Sequence, residues 1–386
     1  MSSTIALPKI MEVGAHAIEK LASVLNTLEC RKPCIITDKM MMQLGYVERL
    51  KKQLEPSNIK TGLFDDCMPE PTDESLDDAV ELVRKGGYDS LIALGGGSAI
   101  DSAKAIAILA KLGGQISDYK VPNSVDQCGL PVIAIPTTAG TGSEATRATV
   151  ITDANSDEKM LCMGLGLMPV AAIIDYELTL SLPPRVTADT GIDALTHAIE
   201  AYVSRKANPF SDQQAMAAIK LLAPNLRLAF HQPDNRSARE AMMLGATLAG
   251  IAFSNASVAL VHGMSRPIGA HFHVPHGLSN AMLLPAVTEF SIPGAPERYA
   301  HCARLMKIAT DADTDVEAND KLLIELKAIN FELQVPTLSE FGAQKNHYLG
   351  LTTTMAEQAL ASGSPNNNPR IPSVEDMTAI YQQVWS

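Results

Sequence analysis

One carboxylate and three imidazoles in the second half of the sequence have the residue types and spacing of a metal site. Asp193 and His197 are four residues apart in GIDALTHAIEAY, so a helix would project both side chains from one face. His262 and His276 follow in VHGMSRPIG and HVPHGLSNA. One carboxylate with three imidazoles can hold a divalent transition metal, and these donor types do not separate iron from zinc.

The choice of ligands is open at this point because other histidines lie close by. His271 and His273 stand between the last two candidates and could be ligands in their place or ordinary polar residues. Three helix breakers are predicted to interrupt this segment and let its imidazoles converge from different elements: Pro267, Gly269 and Pro275. A solvent-exposed helix face is the alternative for Asp193 and His197, because such pairs are common on helix surfaces.

A glycine turn in the first half has the features of a phosphate-binding site. Gly95, Gly96, Gly97 and Ser98 directly follow an apolar run and open a helix, where backbone amides point outward and the helix dipole favours an anion. Ile100 stands where the usual GxGxxG fingerprint has its third glycine. The pattern favours phosphate binding, and a tight strand-to-helix turn that needs only glycine's backbone freedom is the alternative.

A second polar turn, PTTAGTGSE, follows the next apolar run and offers the hydroxyls of Thr138 and Thr141. Two such turns at adjacent strand ends could enclose one dinucleotide. Asp38 ends the first apolar run, where a carboxylate can accept hydrogen bonds from an adenosine ribose and repel a 2′-phosphate. The alternative for Asp38 is an N-cap of the following helix.

The elements that must position these residues differ between the two halves of the chain. Residues 1–182 alternate helical stretches with short Val- and Ile-rich runs, namely PCIITD, DSLIALGGGS, PVIAIPTT, ATVITD and VAAIIDY. Near-continuous apolar runs of this kind are typical of a parallel sheet covered on both faces. We therefore predict a doubly wound α/β domain, with its ligand crevice at the carboxyl ends of the strands.

The second half, residues 183–386, lacks strand signals and is predicted to be all-helical. Pro183 and Pro184 precede the first helix, and further helical blocks are predicted near 210–230, 237–254, 277–290, 295–311 and 315–330. The fold class is therefore α/β plus all-α, with a parallel-sheet domain followed by a helical domain.

Composition excludes several classes of protein. The 386 residues carry a net charge of −12, which argues against a nucleic-acid binder, and 46% hydrophobic residues argue against a largely disordered chain. No run approaches the roughly 20 apolar residues that span a bilayer, and the N-terminal segment shows no secretory pattern. With six cysteines and no CxxC pair, we expect a cytoplasmic protein with reduced thiols.

Five ordered motifs together resemble a known family: TDK from Thr37, GGGSAIDSAK, PTTAGTGSE, GIDALTHAIEAY and HGMSRPIGAHFHVPHG. The chain resembles the iron-containing (group III) alcohol dehydrogenases, a family that also includes lactaldehyde reductases and propanediol dehydrogenases. The resemblance implies an N-terminal NAD-binding domain and a C-terminal helical domain that binds the metal and is catalytic. It implies NAD as cofactor and a divalent metal, Fe²⁺ or alternatively Zn²⁺. The metal ligands it implies are Asp193, His197, His262 and His276.

The resemblance also implies the residues that contact NAD. These are Asp38, Gly96, Gly97, Ser98, Asp101, Thr138, Thr141, Lys159 and Leu178. An aspartate at the position of Asp38 favours NAD over NADP.

The sequence departs from the family pattern at two places. Arg266 stands where many relatives have histidine, and an arginine stays protonated, so it cannot relay a proton at neutral pH. It could bind an anionic or polar substrate group, or pair with an acidic neighbour. His273 is then the candidate for proton release, with a supporting role beside the metal as its alternative. Glu70 replaces the asparagine of a segment that usually reads NPT, which puts one cofactor contact in question.

We therefore predict an enzyme that interconverts a primary alcohol and its aldehyde with NAD(H), acting on a small molecule as a homodimer or larger homo-oligomer. Two other functions are considered. One is a hydroxyacid–oxoacid transhydrogenase on the same scaffold, with Arg266 binding the carboxylate. The other is a metal- or nucleotide-binding sensor without catalysis. A lyase resembling dehydroquinate synthase is less favoured, because no dense basic set accompanies the metal motifs.

Overall fold

The computed structural model describes residues 3–385; residues 1, 2 and 386, which include the start of the N-terminal segment considered above, lie outside the described residues. The chain divides into two compact units. The first is Ala6–Ser181, and the second comprises the described parts of Leu182–Ser386 and Met1–Ile5.

The first unit is built on a six-stranded sheet in the order β1-β8-β5-β4-β2-β3, in which every pairing is parallel. Beside it, β6 and β7 form an antiparallel pair. The strands are β1 (Ile10–Val13), β2 (Pro33–Ile36), β3 (Gly62–Phe64), β4 (Ser90–Gly95), β5 (Val132–Pro136), β6 (Ala148–Thr152), β7 (Lys159–Met163) and β8 (Ala171–Ile174). The helices are α1 (Leu21–Thr27), α2 (Lys39–Gln43), α3 (Tyr46–Leu54), α4 (Asp77–Gly86) and α5 (Gly97–Leu112).

Helices cover both faces of the sheet, which explains its near-continuous apolar strands. Ile35, Ile92 and Ile133 pack with α1 and α3 on one face. Alternate residues of the same strands pack with α4 and α5 on the other face. The prediction of a parallel, doubly covered sheet is confirmed.

The run ATVITD is a strand, but the expectation that it joins the parallel sheet is wrong. Ala148–Thr152 pairs antiparallel with Lys159–Met163, a strand that the apolar pattern did not indicate. Only six residues separate the two strands, and a parallel crossover needs about a dozen or more. The connection is therefore a hairpin, and β6 buries only one face continuously.

The second unit is helical, as predicted. Its helices are α6 (Pro184–Val203), α7 (Pro209–His231), α8 (Arg236–Asn255), α9 (Leu260–Phe272), α10 (His276–Ser291), α11 (Pro296–Leu305), α12 (Asp315–Glu332), α13 (Leu338–Phe341), α14 (Lys345–Ala361) and α15 (Val374–Trp385).

The prolines of this unit act differently from one another. Pro184 opens α6 at the first helical position, where its missing N–H costs nothing. Pro267 and Gly269 do not break the helix as expected, because both lie inside α9. A proline inside a helix loses one hydrogen bond, and the burial of Pro267 and Ile268 offsets that loss. The helix ends instead at Phe272, and its C-cap residue His273 has a left-handed φ of 53°.

No single helix among residues 3–385 is both long and apolar enough to cross a membrane. The pair α8 and α9 meets the criterion only when taken together, and the two helices are bent by 102° at their junction.

Candidate functional site

Four side chains from three helices converge in the second unit. Asp193 and His197 lie one turn apart on α6, His262 lies on α9, and His276 is the first residue of α10. One donor atom from each lies within 4.8 Å of the others. Asp193 Oδ1 is 3.3 Å from His262 Nε2, 3.8 Å from His276 Nε2 and 3.9 Å from His197 Nδ1. The structure thus brings together the four residues that the resemblance implies as ligands.

The approach of α10 to α6 depends on a glycine. A Cβ atom at Gly277 would lie 2.5 Å from the carbonyl oxygen of Asp189 and 3.4 Å from Cβ of Asp193. Only a residue without a side chain allows this approach. It places His276, the preceding residue, beside the carboxylate of Asp193.

The donor atoms surround one position, and the side-chain amide of Asn280 occupies it in this structure. Asn280 Nδ2 donates to Asp193 Oδ1 at 2.7 Å and lies 3.2 Å from Nε2 of both His262 and His276. Donors around a zinc or iron ion at about 2.1 Å lie at most about 4.2 Å apart, so small shifts of this set would suffice to bind one. The convergence and the donor chemistry fit a divalent transition metal.

A second carboxylate orients one imidazole. Glu200, one turn beyond His197 on α6, accepts from His262 Nδ1 at 2.6 Å and from the Val261 amide at 2.6 Å. With Nδ1–H directed at Glu200, Nε2 is the nitrogen that faces the other donors and would bind a metal once its proton is displaced. Burial lowers the pKa of His262, but Glu200 and Asp193 outweigh it and raise the pKa to about 9.

Asp193 is the most buried member of the group, with 1% of its surface exposed. Burial alone would raise its pKa, but the imidazoles of His197, His276 and His262 overcome this and hold the pKa well below its usual range. The carboxylate is therefore ionised, as a metal ligand must be. His197 is also clamped by stacking, with Phe253 at 4.3 Å on one side and His262 at 4.2 Å on the other.

The remaining histidines and the arginine of this region have other surroundings. His271 Nε2 lies 2.9 Å from Gln358 Oε1, and His273 is exposed at the end of α9. Neither belongs to the converging group. Arg266, one turn beyond His262, donates to Ser364 Oγ at 3.1 Å. Burial lowers the pKa of Arg266, and the negative charge of Glu200 only partly opposes this.

In the first unit, the two polar turns lie side by side because their strands pair. Gly95 at the end of β4 is in register with Pro136 at the end of β5, and the Thr137 amide donates to the Gly95 carbonyl at 2.9 Å. Gly95 has a φ of 150°, which strongly favours glycine. Gly96 then caps α5, whose first residue is Gly97.

The glycine turn, residues 95–98, and the threonine turn, residues 137–142, are in direct contact. A Cβ atom at Gly97 would lie 2.7 Å from Thr141 Cγ2, and one at Gly96 would lie 3.3 Å from Thr138 Cγ2. These glycines are therefore needed for packing against the threonine turn as well as for any approach of a ligand. Both proposals for the glycine turn, phosphate site and close packing, are compatible with this geometry.

Asp38 is the N-cap of α2, because its Oδ1 accepts from the Met41 amide at 3.0 Å. Its other oxygen faces the glycine turn, since a Cβ atom at Gly95 would lie 3.5 Å from Asp38 Oδ2. One carboxylate can thus cap the helix and still offer an acceptor beside the turn. The capping role is observed, and the contact with a ribose stays a prediction.

Three of the remaining candidates for NAD contacts are hydrogen-bonded to other residues of the protein, namely Lys159, Ser98 and Asp101. Lys159 Nζ lies 2.7 Å from Glu70 Oε2, and the Glu70 amide donates to Ser98 Oγ at 3.3 Å. Asp101 accepts from Ser143 and from a backbone amide of β6. Leu178 is buried in the core on the α1 and α3 face of the sheet. Their contacts with a cofactor stay predictions.

Several residues that shape these sites were missed by the motifs. Glu200 and Asn280 are three and four residues from predicted ligands, a spacing that puts them on the same helix faces and could have indicated them. Phe253 carried no such signal, because it belongs to α8 and reaches His197 only through tertiary packing.

Comparisons with known proteins agree with this arrangement. Residues 8–176 match the model of the family described as iron-containing alcohol dehydrogenase, and residues 187–385 match that of the Fe-containing alcohol dehydrogenase family, C-terminal. The chain is 38% identical to long-chain-alcohol dehydrogenase 1 of Geobacillus thermodenitrificans, over 99% of this chain and 96% of that protein. It is 33% identical to the NAD-dependent methanol dehydrogenase of Bacillus methanolicus, over 97% of this chain and 98% of that one. The crystal structure of a 1,3-propanediol oxidoreductase superposes with a TM-score of 0.95 at 33% identity, covering 100% of both chains.

Proposed function

Since the chain belongs to the iron-containing alcohol dehydrogenase family, we propose that it interconverts a primary alcohol and its aldehyde with NAD(H) as the second substrate. The observation that carries the proposal is the convergence of Asp193, His197, His262 and His276 on one point. The transhydrogenase and sensor alternatives gain no support from the relatives, whose names are those of dehydrogenases.

The helical unit would hold the metal through these four residues. When bound there, a divalent iron ion would supply Lewis-acid polarisation of the alcohol oxygen, and NAD would supply the hydride acceptor. Glu200 keeps His262 in the tautomer whose Nε2 can bind the ion. Burial of Asp193 excludes water from the anionic ligand and strengthens its attraction for a cation.

The alcohol proton must leave as hydride is transferred, and His273 is the proposed exit. It is exposed to solvent at the end of α9, and histidine side chains exchange protons near neutral pH. Arg266 is a poor candidate because a guanidinium stays protonated. Its hydrogen bond to Ser364 and its attraction to Glu200 instead support a role in holding the surroundings of His262.

The first unit would bind the dinucleotide at its two polar turns. The amides at the start of α5 offer an anion site for the pyrophosphate, beside the hydroxyls of Thr138 and Thr141. The second oxygen of Asp38 would accept from the adenosine ribose, which supports NAD over NADP. Lys159, now held by Glu70, would turn to the cofactor only by exchanging that partner.

The substrate is proposed only as a class. The relatives and the solved structure are named for methanol, long-chain alcohols and 1,3-propanediol, so the shared scaffold accepts primary alcohols of different length. We therefore propose a primary alcohol, and kcat/KM for a panel of aldehydes of increasing length measures the preferred chain length.

The test is NADH oxidation by metal-stripped protein, measured without oxygen on short aldehydes before and after addition of iron(II) or zinc. We expect one metal to restore turnover, and Asp193→Ala to abolish it together with metal binding. Asp189→Asn is the matched control, because Asp189 lies one turn away on α6 and pairs with Arg185 rather than with the imidazoles. No turnover with either metal, in protein that binds both metal and NADH, would contradict the proposal.

Three further properties are proposed on the sequence pattern and the resemblance. These are the division of roles between residues 1–182 and 183–386, a homodimer or larger homo-oligomer, and a cytoplasmic location. The free state of all six cysteines supports a reducing compartment. Light scattering of the purified protein tests the oligomer.

A further inference from the structure

A buried lysine joins the helix of the glycine turn to the segment that follows the threonine turn. Lys104 lies on α5 with 1% of its surface exposed. Its Nζ, with three protons to donate, lies 3.0 Å from Ser143 Oγ, Thr146 O and Thr146 Oγ1 and 2.8 Å from Ala148 O. The ammonium group thus meets the oxygens of a single stretch of chain, residues 143–148.

Asp101 makes a second attachment one turn earlier on the same helix. Its Oδ1 accepts from Ser143 Oγ at 2.5 Å, and its Oδ2 accepts from the Val150 amide at 2.9 Å. Thr149 Oγ1 donates to the Asp101 carbonyl at 2.9 Å. Both side chains of this pair therefore fix the same segment, which leads from the threonine turn into β6.

The attachment decides how the two turns lie against each other. α5 begins in the glycine turn, and Ser143 directly follows the threonine turn. The two turns are tightly packed against each other, since a methyl group at Gly97 would collide with Thr141. A shift of residues 143–148 away from α5 would therefore carry Thr138 and Thr141 away from the amides at the start of α5.

The stability of the fold does not by itself require charged side chains at the positions of Lys104 and Asp101. Burial lowers the pKa of Lys104 to about 8 and raises that of Asp101, so both ionised groups are costly to bury. Apolar residues of similar volume would often fill such a place at no loss of stability. Directional hydrogen bonds to a loop, in contrast, fix its position, which apolar contacts do not.

We infer that Lys104 and Asp101 are positioning residues for dinucleotide binding, which hold the threonine turn against the glycine turn without touching the cofactor. The inference rests on the proposed function, because it presupposes NAD(H) in these turns. It gives Asp101 a role different from the direct contact that the resemblance implies, since both its carboxylate oxygens are engaged by the protein.

The experiment compares Lys104→Met with Lys111→Met in the metal-loaded enzyme. Lys111 is on the same helix and also donates to a backbone oxygen, that of Gly129 at 3.2 Å, but it contacts neither polar turn. NADH affinity is measured by fluorescence titration, together with KM for NADH, KM for the aldehyde, kcat, bound metal and the melting temperature.

We expect Lys104→Met to raise the Kd and KM for NADH by about tenfold or more, because residues 143–148 would no longer hold the threonine turn against the start of α5. The KM for the aldehyde and the bound metal should stay at wild-type values, and Lys111→Met should match the wild type. Ser143→Ala removes the hydroxyl that bonds to both Lys104 and Asp101, so it should also weaken NADH binding. This variant tests the inference if Lys104→Met does not fold.

Two results would overturn the inference. One is a folded Lys104→Met protein, or a folded Ser143→Ala protein, that binds NADH like the wild type. The other is a loss of metal and aldehyde affinity in step with that of NADH, because this would mean general damage rather than positioning. If the wild-type protein itself binds no NADH, the proposed function fails and the inference fails with it.

Discussion

At the scale of single residues, the groups able to do chemistry are held by neighbours that the motifs do not contain. His262 is oriented by Glu200, and Asn280 reaches the point where Asp193 and two imidazoles meet. Asp38 caps a helix with one oxygen and faces the glycine turn with the other. These partners decide which lone pairs and which charges are available to a ligand.

Glu200→Gln should weaken metal binding by about 10- to 100-fold. Glutamine can still accept from the Val261 amide, but its NH₂ group would donate to His262 Nδ1. The proton would then move to Nε2, the atom that faces the other ligands. Competition with a chelator measures the affinity.

Glu325→Gln is the control for that change, because Glu325 pairs with Arg227 in the same unit and lies outside the ligand group. Unchanged metal affinity in Glu200→Gln would mean that Glu200 does not set the tautomer.

Asp38→Asn should raise the relative kcat/KM for NADP by about fivefold, because it removes on the order of 1 kcal/mol of repulsion from a 2′-phosphate. Asparagine still caps α2, so the melting temperature should not change. Asp38→Ala separates the two roles, since it removes the cap as well and should cost about 1 kcal/mol of stability. An unaltered NADP-to-NAD ratio in Asp38→Asn would argue against a ribose contact.

At the scale of elements, close approaches between backbones set the geometry of both sites. α10 approaches α6 closely at Gly277, and the glycine turn approaches the threonine turn closely at Gly96 and Gly97. Strand pairing sets the second approach as well, because β4 and β5 end together. A small change of backbone position at either approach would therefore move the side chains of the corresponding site.

Gly277→Ala should reduce metal affinity and destabilise the protein by about 1–3 kcal/mol, the usual cost of overpacking. Its methyl group would lie 2.5 Å from the Asp189 carbonyl, which must push α10 away from Asp193. Gly350→Ala is the matched control, since that helical glycine of α14 has no atom within 4 Å of an added Cβ. It should leave metal binding unchanged and add up to about 1 kcal/mol of stability. Equal metal affinity in both variants would show that the approach of α10 does not position His276.

At the scale of the whole molecule, the two compact units carry different candidate sites. The ligand group lies within Leu182–Ser386, and both polar turns lie within Ala6–Ser181. A ligand that binds only the folded state stabilises what it binds, by about 2.7 kcal/mol at 100 times its Kd.

Removal of the metal should therefore increase hydrogen exchange mainly in α6, α9 and α10, while NADH should protect the start of α5 and the ends of β4 and β5. Hydrogen–deuterium exchange with mass spectrometry, on metal-free protein and on protein with either ligand, measures both effects. Protection of residues 6–181 by the metal, or of residues 182–385 by NADH, would contradict the assignment of the two sites.

The sequence by itself determined the fold class and the helical second unit, and it proposed the chemically active residues of both candidate sites. Apolar runs and helical periods are local signals, and the spacing of Asp193 and His197 follows directly from the helix turn. Family resemblance implied the remaining candidate ligands, which periodicity alone left open between four histidines.

Only the tertiary structure decided what depends on contacts between distant segments. β6 lies outside the parallel sheet because it pairs with β7. α9 continues through Pro267, which is buried by the neighbouring parts of the unit. Likewise, it is packing that brings Phe253 to His197 and Lys104 to the oxygens of residues 143–148. Such pairings are set by burial and hydrogen bonding across the fold, and no local pattern in the chain encodes them.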